Sequence, residues 1–255
     1  MGSGALFGSA EAALGYASAR PPVHPAVVAL AEERFDLPAS VEVALDVGCG
    51  AGLSTRPLVG RARRCLAVDP EPEMVALVSQ VAPGALGAEA RAEALPVPDG
   101  SVGLVTAAGS LDFVDDLGAA VAELARVLAP GGMALVYDFA TGRRLRDGPD
   151  LDAWFDEVLA RWPRRPPCTS PVTAESLAAG GMVVVRQPFE VDVSLTRSAY
   201  VDYLLTESFV TLAVGRGEDR ADIARWLAST VPWPGVDPAP ADVVFAGYVL
   251  AARHP

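Results

Sequence analysis

Leu45-Asp46-Val47-Gly48-Cys49-Gly50-Ala51-Gly52 is the stretch on which the reading of this chain turns. Val41-Glu42-Val43-Ala44 precede it, so a short apolar run ends in an acid and breaks at once into three alternating glycines. Such a run reads as a strand buried on both faces. Glycine lets the chain leave the strand through left-handed backbone and lets a ligand approach without meeting a Cβ. A dinucleotide fingerprint needs its third glycine at position 53, where this chain has Leu, so the spacing is G-x-G-x-G instead. A phosphate loop of the G-x-x-x-x-G-K-[ST] type is excluded because the 255 residues contain no lysine: all 20 basic side chains are Arg. The same absence excludes a Schiff-base enzyme.

Working outward, the spacing predicts a helix from the glycines through Leu58, then a second strand at residues 65–68 that closes on Asp69-Pro70. Pro72 suits a first helical turn, and Met74, Val75, Leu77, Val78 and Val81 give the next helix an apolar face. Residues 85–91 read as a weaker strand, Asp99-Gly100 as a turn, and residues 102–107 as a buried strand. Leu117, Val121, Leu124 and Leu128 recur at helical spacing until Pro130-Gly131-Gly132, and residues 133–139 form another strand. Strands alternating with helices over this span imply βαβ units and a parallel sheet with helices on both faces. Beyond Asp138 the pattern becomes more helical. Residues 151–162, 198–212 and 219–229 read as helices, residues 162–167 as a stiff Pro-rich connector, and residues 183–185, 189–195 and 243–251 as strands.

Composition narrows the function. The 32 acids against 20 arginines give a net charge of −12, which argues against a nucleic-acid partner. Cys49, Cys65 and Cys168 form no C-x-x-C pair, and His24 and His254 are the only imidazoles, so neither a disulfide framework nor a His/Cys zinc site is expected. The first arginine is Arg20 and no apolar run has the length of a bilayer span. A cytoplasmic enzyme with no membrane partner and no metal is the expectation.

Four stretches together carry a family resemblance: Leu45–Gly52; Ala67-Val68-Asp69-Pro70; Ala92-Glu93-Ala94-Leu95-Pro96 with Asp99-Gly100; and Leu124-Ala125-Arg126-Val127-Leu128-Ala129-Pro130-Gly131-Gly132. In this order and spacing, over residues 41–139, the sequence resembles the class I S-adenosylmethionine-dependent methyltransferases, in particular their small-molecule (type 11-like) subgroup. The resemblance implies a Rossmann-like, mostly parallel seven-stranded sheet with helices on both faces and a helical cap. It implies one domain over residues 1–255: N-terminal lid helices in 1–40, a cofactor-binding core in 41–140, and cap helices with closing strands in 141–255. It implies S-adenosylmethionine as cofactor and S-adenosylhomocysteine as product. Asp46 would attract the ammonium of the methionine tail, with Gly48, Gly50 and Gly52 giving the ligand room. A helix start beyond Gly52 would face the tail's carboxylate, and Asp69 would accept the ribose hydroxyls. Pro70, Met74, Ala92, Glu93 and Ala108 complete the implied cofactor surroundings. Two positions depart from the family: Arg91 stands where an acid commonly precedes the Ala-Glu pair, and Gly103 replaces another common acid.

The segment from Tyr16 to Pro25 resembles the subgroup's Tyr…Arg-Pro…Pro lid, which implies that Tyr16 bonds the methionine carboxylate and that Arg20 clamps a carboxylate of cofactor or substrate. Asp112, where relatives often have His, is a candidate general base, with His24 as its rival; a solvated carboxylate and a satisfied histidine are the plainer readings. Tyr200, Tyr203 and Glu207 share a helix face in a segment that resembles the subgroup's lid, as substrate contacts or as core. Methyl transfer to a small acceptor, such as a bacterial secondary metabolite, is the expected reaction. A repurposed fold running a cyclisation and a non-catalytic cofactor-binding regulator are the alternatives.

Overall fold

The structure, a computed structural model, describes residues 10–164, 171–235 and 238–255. Cys168 and part of the Pro-rich connector lie outside the described residues. Among the described residues eight strands are present: β1 (Val41–Val47), β2 (Ala62–Asp69), β3 (Ala85–Glu89), β4 (Val102–Ala108), β5 (Leu128–Phe139), β6 (Arg144–Leu145), β7 (Val183–Leu195) and β8 (Ala241–Arg253). They form one sheet in the order β3-β2-β1-β4-β5-β8-β6, with β7 on β8. Pairings among β1 to β5 are parallel, and β8 runs antiparallel to β5 and β6. The architecture is therefore a mostly parallel, Rossmann-like α/β fold, with eight strands where seven were expected. The two-residue β6 is too short to show as a hydropathy pattern.

The chain divides into two compact units. The core unit comprises His24–Phe139, Pro167–Phe189 and Gly247–Pro255, and the second unit Met1–Val23, Ala140–Pro166 and Glu190–Ala246. In the core unit the sheet's apolar residues, among them Leu45, Val47, Val105 and Val136, pack with Leu124 and Val127 of the helix Leu117–Val127. Each of these is at most 4 % exposed. That helix stops at Val127, and Pro130, Gly131 and Gly132 fall inside β5 rather than at the helix end. The break comes earlier because Leu128 already adopts extended backbone, φ −66° and ψ 131°.

The order of β1 to β5 places a switch point between β1 and β4. The crossovers from β1 to β2 and β2 to β3 run one way, and that from β3 to β4 returns past β1, so the strand ends there open a crevice to which loops contribute from both directions.

Arg126, on the same helix, holds the loop that follows β3. Its guanidinium donates to Glu123 at 2.6 Å, to Asp99 at 2.6 Å, and to the carbonyls of Val97 and Leu95 at 2.8 and 3.0 Å. Glu123 in turn accepts from Leu95 N–H at 2.7 Å. The Ala92–Leu95 stretch is thereby fixed beside the crevice.

The second unit contains the helices Ala10–Ala19, Asp152–Arg161, Arg197–Leu204, Ser208–Gly215 and Arg220–Thr230. The single helix expected at residues 198–212 is two, separated at Thr206-Glu207, where Glu207 has the extended backbone of an N-cap, ψ 149°. Among the described residues, no helix is long and apolar enough to cross a membrane.

Candidate methyl-transfer site

The loop after β1 is built from three left-handed glycines: φ is +67° at Gly48, +52° at Gly50 and +101° at Gly52. Only glycine adopts these values without strain. The N–H groups of Gly48 and Cys49 both donate to Val68 O, at 2.8 and 3.0 Å, which turns the loop onto the end of β2. Space is a second demand at Gly48. A Cβ there would lie 2.3 Å from Ser110 Cβ, and Ser110 is itself held by a 2.8 Å bond from its hydroxyl to Val47 O.

Beyond Gly52 the expected α-helix is not formed. The chain makes turns and a short 3-10 helix, Arg56–Leu58. The reason is local: Ser54 and Thr55 turn their hydroxyls back to Asp46, donating to Oδ2 at 2.7 and 2.6 Å. The expected helix-start site for a ligand carboxylate is therefore absent.

Thr106 from β4 donates to the other oxygen of Asp46 at 2.6 Å, and the Asp46 side chain is fully buried. Burial pushes this carboxyl above the usual aspartate range against the three hydroxyl donors, with Asp69 adding to the rise. At 0 % exposure the Asp46 carboxylate binds the loop together. Ser54, Thr55 and Thr106 were missed by the sequence reading. The available signal was hydroxyl residues within an otherwise Ala-, Gly- and Val-rich framework.

Asp69 stands differently. Its Oδ2 accepts from Gly50 N–H at 2.8 Å and its Oδ1 from Glu71 N–H at 3.0 Å. The carboxylate thus sits beside the glycine loop across the ends of two adjacent strands. Burial raises its pKa, opposed by those two N–H groups. Next to it Pro70 is exposed, whereas Met74 is 2 % exposed and packs as core, not as an open ligand face. Ala92, Glu93 and Ala108 are half-buried. Glu93 accepts from Asp115 N–H at 2.9 Å and from Arg91 at 3.4 Å. Burial raises its pKa, but its own N–H, those of Asp115 and Asp116, and Arg91 outweigh that and leave the carboxyl below the usual range.

Past the end of β4 lies a small recess whose polar lining is Ser110, Asp112, Tyr137, Asp138 and Tyr248. Asp112, half-buried, accepts from Val172 N–H at 3.2 Å. His24 reaches this place through Tyr137: its Nδ1 lies 3.0 Å from the Tyr137 hydroxyl, and its ring meets Tyr137 and Phe139 edge-on. Burial raises the Tyr248 phenol, and Asp112 and Asp138 raise it further, while Arg186 over its ring opposes them. Tyr137, Asp138 and Tyr248 were not foreseen; they meet because β8 returns antiparallel against β5, pairing Asp138 with Tyr248. Among the described residues, no group of three His, Cys, Asp or Glu is placed to hold a metal ion.

Residues 45–136 match the family model described as a methyltransferase domain. An uncharacterized methyltransferase of Mycobacterium tuberculosis is 38 % identical over 133 residues, 52 % of this chain and 51 % of that protein. A malonyl-[acyl-carrier protein] O-methyltransferase of Serratia marcescens is 34 % identical over 113 residues, 44 % of this chain and 43 % of its own length. The chain thus spans about half the length, or less, of these curated relatives. Among solved structures, a candidate type II methyltransferase from Anaeromyxobacter dehalogenans superposes with a TM-score of 0.66 at 26 % identity, covering 92 % of this chain and 97 % of the other.

The glycine loop, Asp46, Asp69, Glu93 and Asp112 lie inside the matched residues; His24, Asp138 and Tyr248 lie outside them. So do Tyr16, Arg20, Tyr200, Tyr203 and Glu207, which belong to the second unit. There Arg20 pairs with Glu207 at 2.9 Å and lies over the rings of Tyr16 and Tyr203, at 4.5 and 5.2 Å. Burial opposes its charge, but Tyr16, Glu207 and Tyr203 outweigh that and raise the guanidinium's pKa. Tyr200 and Tyr203 are at most 1 % exposed. Tyr200 donates to Gly142 O at 2.6 Å, and the two rings pack against Trp233 and Phe245 respectively. Of the two readings, substrate contact or core, the packing matches core: both are interior side chains of the second unit, and burial holds both phenols well above their ordinary pKa.

Proposed function

We propose that this chain binds S-adenosylmethionine across the ends of β1 and β2 and transfers its methyl group to a small molecule presented at the ends of β4 and β5. The observation that carries this reading is Asp69, a nearly buried carboxylate fixed by Gly50 N–H at 2.8 Å beside a loop of alternating glycines. The residues present fit the cofactor. The left-handed glycines leave the backbone bare, and the carboxylate at the end of β2 suits the paired hydroxyls of a ribose.

When bound, the cofactor supplies a methyl group on a sulfonium, already a strong electrophile. The protein's part is then alignment and exclusion of water more than acid–base work. Asp69 accepts the sugar's hydroxyl hydrogens, and the Gly48–Gly52 backbone lets the nucleoside lie close. Asp46 keeps that loop in place through Ser54, Thr55 and Thr106. Asp112 and Asp138 receive the acceptor's proton, and the phenols of Tyr137 and Tyr248 orient the acceptor. The net charge of −12 supports a small-molecule acceptor over a nucleic acid, and we infer a cytoplasmic enzyme acting on a secondary metabolite, without a membrane partner.

Calorimetric titration with S-adenosylhomocysteine tests the reading. Wild-type protein is expected to bind it, and Asp69→Ala to weaken binding by about 1–3 kcal/mol as charge-assisted hydrogen bonds are lost. Because Asp69's pKa is raised, affinity should fall on acidification at a higher pH than an ordinary aspartate would give. A protein with no measurable affinity, or an Asp69→Ala variant that binds unchanged, ends the proposal. Labelled cofactor with a metabolite panel then separates methyl transfer from a cyclase-like reaction or silent binding.

A further inference from the structure

Resting on the S-adenosylmethionine reading, we propose that the acceptor is an amine, selected by the recess at the ends of β4, β5 and β8, where Asp138, Asp112 and Tyr248 take its ammonium group. Asp138 and Tyr248 are register partners across the antiparallel pair β5 and β8, so their side chains share one face of the sheet. Asp138 Oδ1 accepts from Phe139 N–H at 2.8 Å and lies 3.0 Å from where a Cβ would stand on Gly109, the left-handed residue after β4, φ +57°. The bare backbone of Gly109 therefore lets this carboxylate sit against the end of β4. Asp112 comes from the short 3-10 helix that follows, Leu111–Phe113. Ala107, Leu111, Val136 and Val172 make the rest of the wall apolar. The volume, about 10 Å³, is that of one water-sized group, so the recess takes a functional group and not a whole acceptor. All of these residues belong to the core unit.

The sign of the charge separates an amine from a hydroxyl. Arg186 lies over the Tyr248 ring at 4.8 Å from its centre, so this spot already draws one cation from the chain itself. Tyr248 shows what the recess does to a hydroxyl. Burial raises its phenol, and Asp112 and Asp138 raise it further. A hydroxyl acceptor, which reacts best as its anion, meets the same opposition. An amine reverses the sign. Its ammonium gives one proton to a recess carboxylate; the freed lone pair forms the N–C bond while the C–S bond breaks and its electrons stay on sulfur. The positive charge that leaves sulfur reappears on nitrogen, beside the second carboxylate, which stabilises it as it develops. The three N–H groups of a primary ammonium also match two carboxylates and a phenol oxygen better than the single O–H of an alcohol does.

The test uses benzylamine and benzyl alcohol, matched in shape, titrated by calorimetry into the full chain saturated with S-adenosylhomocysteine. Wild type is expected to bind benzylamine saturably and about tenfold or more tightly than benzyl alcohol. Asp138→Asn keeps the oxygen that accepts from Phe139 N–H and removes the charge. It should weaken benzylamine about tenfold, the effect of one lost charge-assisted hydrogen bond, and leave benzyl alcohol unchanged. Asp112→Asn serves as the second probe if Asp138→Asn proves unstable. Arg186→Gln, at an exposed position, removes a competing cation and should tighten benzylamine, an opposite sign that a folding defect does not give. In turnover with methyl-labelled cofactor, label is expected on the nitrogen of amine acceptors. Equal affinity for the two probes, no uptake of benzylamine at about 50 mM, or full amine affinity in Asp138→Asn overturns the proposal. So does transfer to alcohols in preference to their amine counterparts. The initial S-adenosylhomocysteine titration separates the two failures: no uptake of it ends the cofactor reading, whereas normal uptake without amine preference ends the amine assignment alone.

Discussion

Gly48→Ala is expected to destabilise the protein by about 2–5 kcal/mol and to abolish S-adenosylhomocysteine binding, the sum of two separate penalties. A side chain at left-handed backbone costs about 1–2 kcal/mol, and forcing a methyl into filled space a further 1–3 kcal/mol. Both apply here, since φ is +67° and the new Cβ would lie 2.3 Å from Ser110 Cβ. Ser110 cannot move aside cheaply, because its hydroxyl is bonded to Val47 O at 2.8 Å. The double variant Gly48→Ala/Ser110→Gly removes the obstructing Cβ and should recover the packing part but not the backbone part. Urea unfolding of the four proteins in this cycle measures both parts. A single variant that unfolds like wild type would show that the loop is not seated as described.

Asp46→Ala carries the other large effect, a loss of about 3 kcal/mol. The substitution strands the hydroxyls of Ser54, Thr55 and Thr106, which are 4 %, 0 % and 0 % exposed, although removing a buried charge offsets part of that loss. Asp46→Asn keeps the shape and should cost less at neutral pH. It also exposes the sign of the pH dependence. Burial raises Asp46's pKa in the folded protein, so its stabilising contribution is complete below the unfolded aspartate value and is lost as pH rises through the raised native value. Stability measured against pH should therefore tilt towards Asp46→Asn across that window. A wild-type-minus-variant difference that is flat, or tilts the other way, would mean that the carboxylate is not desolvated in the folded state.

These two residues also show what the sequence could and could not convey. β1 was legible to the residue, because a strand buried on both faces is an unbroken apolar run and its end is marked by glycines with nothing else to do. The place of Asp69 at the close of β2 was legible for the same reason. What followed Gly52 was not: helical spacing in the apolar residues said nothing of the Ser54 and Thr55 hydroxyls that fold back onto Asp46. The third hydroxyl on Asp46 comes from β4, and Thr106 lies 60 positions along the chain from Asp46. Glu207 divides what looked like one helix, because its partners Arg20 and Arg164 come from remote segments. The recess was hidden for a further reason. Asp138 and Tyr248 become neighbours only through the antiparallel register of β8 on β5, and no local pattern encodes a pairing between residues so far apart. Tyr200 and Tyr203 are the opposite case: their helical spacing was read correctly, but a shared face does not say whether it looks at ligand or at core.

The chain has only two imidazoles, and one of them, His24, touches the Tyr137 hydroxyl at 3.0 Å while Tyr137 lines the recess. Nitrogen-15 resonances of histidine-labelled protein therefore reduce to a pair of residues, which a His254→Gln variant assigns. An acceptor settling against Tyr137 would then announce itself in the remaining signal, giving a resident spectroscopic reporter with no dye or tag attached.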